Sequence, residues 1–270
     1  MARARRLYDI CDRGEIGSNI LKYQPENMRN KLAWFRALPF WLAFRLILFS
    51  LMRRILTLPI TFSYSQGAED LIADYYLRYF FDLNRPGTYV DVGCNTPVRY
   101  SNTFELYLRG WRGINIDANN DLINECKRVR KHDICICAAV SDSEREVTFH
   151  KAKSDAVSTI DEDRLVEWKK HFEFSDDDQE TVVTETLTSI LDTNFEAGRN
   201  IDLLTIDVEG HDLQVLRGLD LSKYRPKIIV IEIHALDSIK DNEIYEYLTA
   251  NGYSLRAYAV LSAYFLDERQ

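Results

Sequence analysis

Thr88-Tyr-Val-Asp-Val-Gly-Cys-Asn95 decides the fold, because a short β-rich run delivers an acid, Asp91, and a glycine, Gly93, together at its carboxyl end. In open α/β sheets that end is where ligands bind. One strand–helix step later, Arg112-Gly-Ile-Asn-Ile-Asp117 repeats the pattern, with a carboxylate placed to receive two ribose hydroxyls. The two motifs together call for a nucleoside-containing ligand.

Working outward, Leu203–Val208 and Ile228–Ile233 are near-continuous apolar runs of strand length, the mark of central parallel strands covered on both faces. His211–Gly218 between them makes one helical crossover. Upstream, Ala68–Phe81 has the spacing of a helix with one buried face. Asn84–Gly87 is a turn, and a helix from about Ser101 to Arg109 ends at Gly110, which suits a left-handed cap. A helix over Asp121–Arg130 leads to a third strand, Asp133–Val140, in which Cys135 and Cys137 point the same way as buried small hydrophobes. Glu146–His150 reads as a short strand. Lys153–Glu180 is polar, carries the acidic run Asp176–Asp178, and reads as an insertion or lid of solvated surface. Strand and helix alternate over most of this span, which predicts a doubly wound α/β sheet.

Charge is unevenly distributed. Residues 1–54 carry eleven Lys/Arg against four Asp/Glu, a net +7, so the −8 of the whole chain leaves −15 on residues 55–270. A body this acidic argues against a nucleic-acid partner. The five cysteines (Cys11, Cys94, Cys126, Cys135, Cys137) form no CxxC pair and read as reduced core thiols of a cytoplasmic protein.

The single glycine of Val90-Asp-Val-Gly-Cys-Asn95 is a poor cradle for a pyrophosphate, which needs three glycines in G-x-G-x-x-G. Asp91 would instead face a cationic or hydroxyl-bearing ligand. S-adenosylmethionine fits, with a sulfonium, an amino group and a ribose but no phosphate.

On these residues the chain resembles the FkbM-type S-adenosylmethionine-dependent methyltransferases, in particular a branch seen with bacterial polysaccharide genes. The resemblance runs from about Tyr64 to Tyr258. Its blocks are Tyr64-Ser-Gln-Gly-Ala-Glu-Asp70, Tyr89–Pro97, Ser101-Asn-Thr103, Gly110–Ala118, Ala138–Asp142, Thr186–Ile190, Ile201–Asp212 and Arg225–His234, in order. It implies a class I methyltransferase (Rossmann-like), mostly parallel seven-stranded sheet with one reversed strand, for which Tyr253–Ala259 would serve. It also implies an acceptor hydroxyl, on a sugar of a cell-surface polysaccharide or on a glycosylated metabolite.

The roles expected are these. Asp117, beside Ala118, accepts the ribose hydroxyls. Gly93, Cys94 and Asn95 meet the methionyl end, Asp91 its ammonium, and Gln66 and Ser101 its carboxylate. Ala139, Val140 and Ser141 lie where the adenine would sit. For the chemistry, His211 is the leading base, Asp207 or Glu209 orients it or the substrate, and His234 can take the same role. Asp207, Glu209 and Glu232 also offer hard oxygen ligands for magnesium. Tyr100 and Trp168 could stack on a sugar.

Residues 1–60 lie outside the resemblance and form a basic, apolar helical arm preceding a catalytic domain at 61–270. Its apolar pieces are interrupted by Arg45 and fall short of the roughly 18 residues a membrane span needs, and it starts too late for a signal peptide. It reads as a helix packed on the main domain or a second subunit, or as an interfacial helix at the inner face of a membrane. Two other functions stay open: a catalytically silent, membrane-associated interaction module, and an NAD-dependent oxidoreductase, which the missing glycines disfavour.

Overall fold

In the computed structural model, residues 38–55, 62–152, 158–195, 200–234 and 236–269 are described. Among the described residues ten strands carry the fold: β1 Thr88–Val92, β2 Arg112–Asp117, β3 Ile134–Cys137, β4 Ala139–Ser141, β5 Glu146–Ala152, β6 Phe174–Thr186, β7 Leu203–Ile206, β8 Ile228–Glu232, β9 Tyr253–Ala259 and β10 Ser262–Asp267. The helices are α1 Phe40–Ile55, α2 Glu69–Tyr75, α3 Phe104–Leu108, α4 Asn120–Val129, α5 Glu162–Trp168, α6 Leu187–Asn194, α7 Asp212–Arg217 and α8 Glu243–Ala250. The predicted helix over 68–81 is α2 continued by a π-helical turn, Tyr76–Phe80.

Seven strands form one sheet in the order β3-β2-β1-β7-β8-β10-β9. This is the class I methyltransferase arrangement, α/β and doubly wound. The central strands alternate between two apolar layers. Val90, Val92, Leu204, Ile206, Ile229 and Ile231 pack with α6, α7 and α8, whereas Tyr89, Leu203, Ile228 and Val230 pack with α1, α2 and α3. Burial on both faces is why these strands read as unbroken apolar runs. α3 ends as expected at Gly110, whose φ of 93° turns the chain so that Trp111 N–H reaches back to the Leu106 carbonyl.

Four expectations are corrected. The reversed strand is β10, which runs antiparallel to β8 and to β9. Tyr253–Ala259 therefore runs parallel to β8. The connections explain this: β9 follows α8, and a helical crossover returns the chain parallel, whereas the tight turn at Val260-Leu261 reverses it. The run Asp133–Val140 is two strands. Ala138 N–H makes the last bond to the end of β2, at the Asp117 carbonyl, and Ala139 then pairs with Thr184 in a second sheet of order β4-β6-β5. Because β3 is the edge of the main sheet, Cys135 is buried but Cys137 is exposed. Finally, much of 153–180 is regular structure: α5 and the first half of β6, whose backbone includes Asp176–Asp178.

Of the arm, Leu38–Ile55 is described and the rest lies outside the described residues. Leu38, Leu42 and Ala43 enter the apolar layer that holds α2 and α3.

Candidate active site

The strand order reverses between β1 and β7, and the loops leaving their carboxyl ends open onto one cavity. Such a switch point is where a doubly wound sheet leaves a crevice. Gly93 makes the crevice tight. Its φ is 79°, and a Cβ there would lie 1.8 Å from the Asp207 carbonyl oxygen. The Asp207 N–H in turn donates to the Val92 carbonyl at 3.0 Å, so the two loops are joined through their backbones.

On the β1–β2 side, the loop N–H groups point back at the protein. Gly93 and Cys94 donate to the Ile116 carbonyl, and Asn95 donates to Asp117 Oδ2 at 2.9 Å. Asp117 Oδ1 accepts from Asn119 N–H at 2.8 Å. Both carboxylate oxygens are thus held in place. Asp91 is buried and accepts from Thr103 Oγ1 at 2.7 Å. Burial pushes its carboxyl up to about 6, against the pull of Thr103 and Arg130. Ile116, Ala118, Ala138, Ala139, Val140 and Phe149 complete this wall as a flat apolar patch beside Asp117.

On the β7–β8 side the wall is acidic. Asp207, Glu209 and Glu232 line it, joined by Glu69 from the start of α2. Burial, then the charges of Glu232 and Asp212, push the Glu209 carboxyl up to about 8, with Arg164 of α5 opposing them. Asp207 is exposed and opens onto the cavity. Desolvation, followed by Glu232, Glu209 and Asp212, holds its carboxyl well above the usual carboxylate range, least so while water fills the cavity. Glu209 sits at φ 54° and is followed by Gly210 at 102°, so the acid is presented on a strained loop. Asp212 holds that loop, accepting from Val208 and Gly210 N–H at 3.3 and 3.2 Å. Gln66, Tyr100, Asn102, Thr159 and Ser262 add hydroxyl and amide groups. No Lys, Arg or His lines the cavity among the described residues.

A family model for the methyltransferase FkbM domain matches residues 91–255, more than half of the chain. The chain belongs to the FkbM methyltransferase family. Among solved structures it is similar to a precorrin-6y C5,15-methyltransferase from Geobacter metallireducens GS-15, at 13% identity, TM-score 0.40, 73% of this chain and 84% of that one. It is also similar to a methyltransferase FkbM from Methylobacillus flagellatus KT, at 14% identity and TM-score 0.41, over 76% of this chain and 56% of that one. A third is the delta-N METTL16 MTase domain, at 13% identity and TM-score 0.37, over 83% of this chain and 94% of that one. Curated protein sequences give no match.

Within this FkbM domain, the cavity gathers Gln66, Asp91, Gly93, Cys94, Asn95, Asp117, Ala118, Ala139, Val140, Asp207, Glu209 and Glu232. Five residues expected at the site lie off its wall. Ser101 is buried beneath it, accepting from Thr103 and Phe104 N–H at the start of α3. Ser141 and His211 are buried against each other, Oγ to Nε2 at 2.9 Å. Burial and Arg145 hold the His211 imidazole below its ordinary value. His234 pairs with Glu232 at 2.8 Å on the outer side. Trp168 is also absent from the wall. The magnesium expectation is not supported, since among the described residues no group of three or more His, Cys, Asp or Glu side chains is arranged to hold a metal ion. Glu232 is turned to His234, and Glu209 lies near Arg164, so the carboxylates repel without converging.

Three residues escaped the sequence reading. Glu69 was quoted as part of a motif, but its place on the cavity wall, with Oε2 accepting from Gly67 N–H at 2.7 Å, depends on the fold of 62–70. Arg130 is 1% exposed and donates to Pro97 O, Tyr89 OH and Thr103 Oγ1 at 2.9–3.1 Å, supporting Asp91 from behind. Asp212 was visible only as the last letter of a motif.

Proposed function

We propose that this chain is an S-adenosylmethionine-dependent O-methyltransferase whose acceptor is a hydroxyl on a sugar, in a cell-surface polysaccharide or a glycosylated metabolite. The observation that carries the reading is a cavity at the β1/β7 switch point walled by Glu69, Asp91, Asp117, Asp207, Glu209 and Glu232, without a basic side chain among the described residues. That donor set suits a cationic, hydroxylated ligand and opposes a pyrophosphate. The inward-turned N–H groups of 93–95 oppose a dinucleotide again.

When bound, S-adenosylmethionine supplies an electrophilic sulfonium methyl. Asp117 would hold the ribose, Asp91 the ammonium, and the patch from Ala138 to Val140 the adenine. Glu209 takes the proton of the acceptor hydroxyl. Its carboxyl at about 8 is protonated in the empty cavity at neutral pH, and a cation beside Asp207 and Glu232 shifts it toward the carboxylate form that a general base requires. His211 acts as a positioning residue through Ser141. The hydroxyl and amide groups of Gln66, Asn102, Thr159 and Ser262, with the exposed Tyr100 ring, support a sugar as the acceptor.

The test is calorimetric titration with S-adenosylhomocysteine, with NAD in parallel, followed by mass-shift assays on glycan acceptors. Binding of S-adenosylhomocysteine alone, then a methyl-sized mass gain on a sugar, is expected. Binding of NAD in its place overturns the cofactor; cofactor binding with methyl transfer only to amines or carbon overturns the acceptor.

A further inference from the structure

Helix α1 carries large apolar side chains on two opposite faces. One face, Leu42 and Ala43 with the half-buried Leu46 and Ile47, packs on the main domain. The opposite face presents Phe40, Trp41, Phe44, Leu48, Leu51 and Met52, each 46–72% exposed. Phe40, Phe44, Leu48, Leu51 and Met52 fall at i, i+4, i+8, i+11 and i+12, with Trp41 at their flank, so they form one stripe along the helix. Six large apolar side chains in a single stripe exceed the scattered exposed residues of an ordinary surface and mark an interaction face.

We infer that this face seats α1 flat in the interfacial layer of an anionic lipid membrane. Three observations select that occupant. No helix among the described residues is long and apolar enough to cross a bilayer, so the stripe can lie in one but not span it. Phe, Trp, Leu and Met on one face, with Arg45 beside them, are the side chains that enter the boundary between headgroups and acyl chains. The segment 1–54 carries a net +7 while the remainder carries −15. An anionic leaflet attracts the first and repels the second, which orients the molecule with its arm down. A second copy fits poorly: a two-fold contact through the same stripe brings two +7 segments together.

The experiment is co-sedimentation of the full chain with vesicles of phosphatidylcholine alone or with one third phosphatidylglycerol. The variants are Phe44→Asp with Leu48→Asp, and separately Arg45→Glu. Both substituted apolar side chains point away from the core, and unchanged affinity for S-adenosylhomocysteine checks that the domain is intact. The expected result is pelleting with the anionic vesicles only, reduced about tenfold by the aspartate pair and partly by Arg45→Glu or by raised salt. Pelleting that the aspartate pair leaves unchanged overturns the assignment to α1. Failure of the folded chain to pellet overturns lipid as the occupant, and a dimer in analytical ultracentrifugation that the aspartate pair dissociates replaces it with a second copy.

Discussion

The two sides of the cavity are built from the same material, carboxylates at strand ends, and treat it oppositely. On the β1–β2 side each acid is anchored: Asp117 by two backbone N–H groups, Asp91 by Thr103 with Arg130 behind. On the β7–β8 side Asp207, Glu209 and Glu232 lie near enough to repel, and that repulsion adds to burial in raising Asp207 and Glu209. Burial raises acids on both sides, Asp91 to about 6; on the crowded side neighbouring carboxylates carry Glu209 further, to about 8. Under the proposed function the first side is the binding wall and the second the reacting wall of one crevice.

The largest blow to this division is Gly93→Ala, because the added methyl meets the Asp207 carbonyl and φ is positive. A loss of about 3 kcal/mol or more in unfolding free energy is expected, with no measurable cofactor binding. Urea titration and calorimetry read both. Next is Glu209→Gln, expected to lower kcat by about 10²–10⁴-fold while leaving S-adenosylhomocysteine affinity within a few-fold. An equal loss in both would merge the two walls. Asp117→Ala should do the reverse, weakening S-adenosylhomocysteine binding by about one to two decades, since a charge-assisted bond contributes about 1.5–3 kcal/mol.

A subtler test uses pH. Asp91, Asp212 and Glu209 are held at about 6, 7 and 8, above the values near 4 of an unfolded chain. The folded form therefore binds more protons than the unfolded form across that window. Its stability from these groups is greatest in mild acid and falls as pH rises from about 4 to 8. Tm is expected to drop by a few degrees between about pH 6 and 8, and Glu209→Gln should flatten the upper part of that slope. A rising Tm would reject the raised values. The smallest effect is at the edge of the sheet: Cys137→Ser, at an exposed position of β3, should change stability by no more than about 0.5 kcal/mol.

Much of the binding wall was legible in the sequence because it is local. Thr88–Asn95 and Arg112–Asp117 each carry strand, acid and loop in one stretch, and burial on both faces gives β7 and β8 unmistakable apolar runs. What was lost depends on convergence. Arg130 at the end of an amphipathic helix looks like any solvated cation until the fold buries it beneath Asp91. Nothing local distinguishes the direction of β9 from that of β10, since only the connection sets it. The split of Asp133–Val140 follows from β2 ending at Asp117, a fact about a neighbour. His211 drew attention by its chemistry, yet the fold packs it against Ser141.

The backbone seam between Val92, Gly93 and Asp207 has one more consequence. It fixes the path of the acidic loop relative to the nucleoside loop through main-chain atoms alone, leaving the side chains at 207 and 209 unconstrained by it. Under the proposed function, substitution at those two positions can change the reaction while the backbone path of both loops stays as it is.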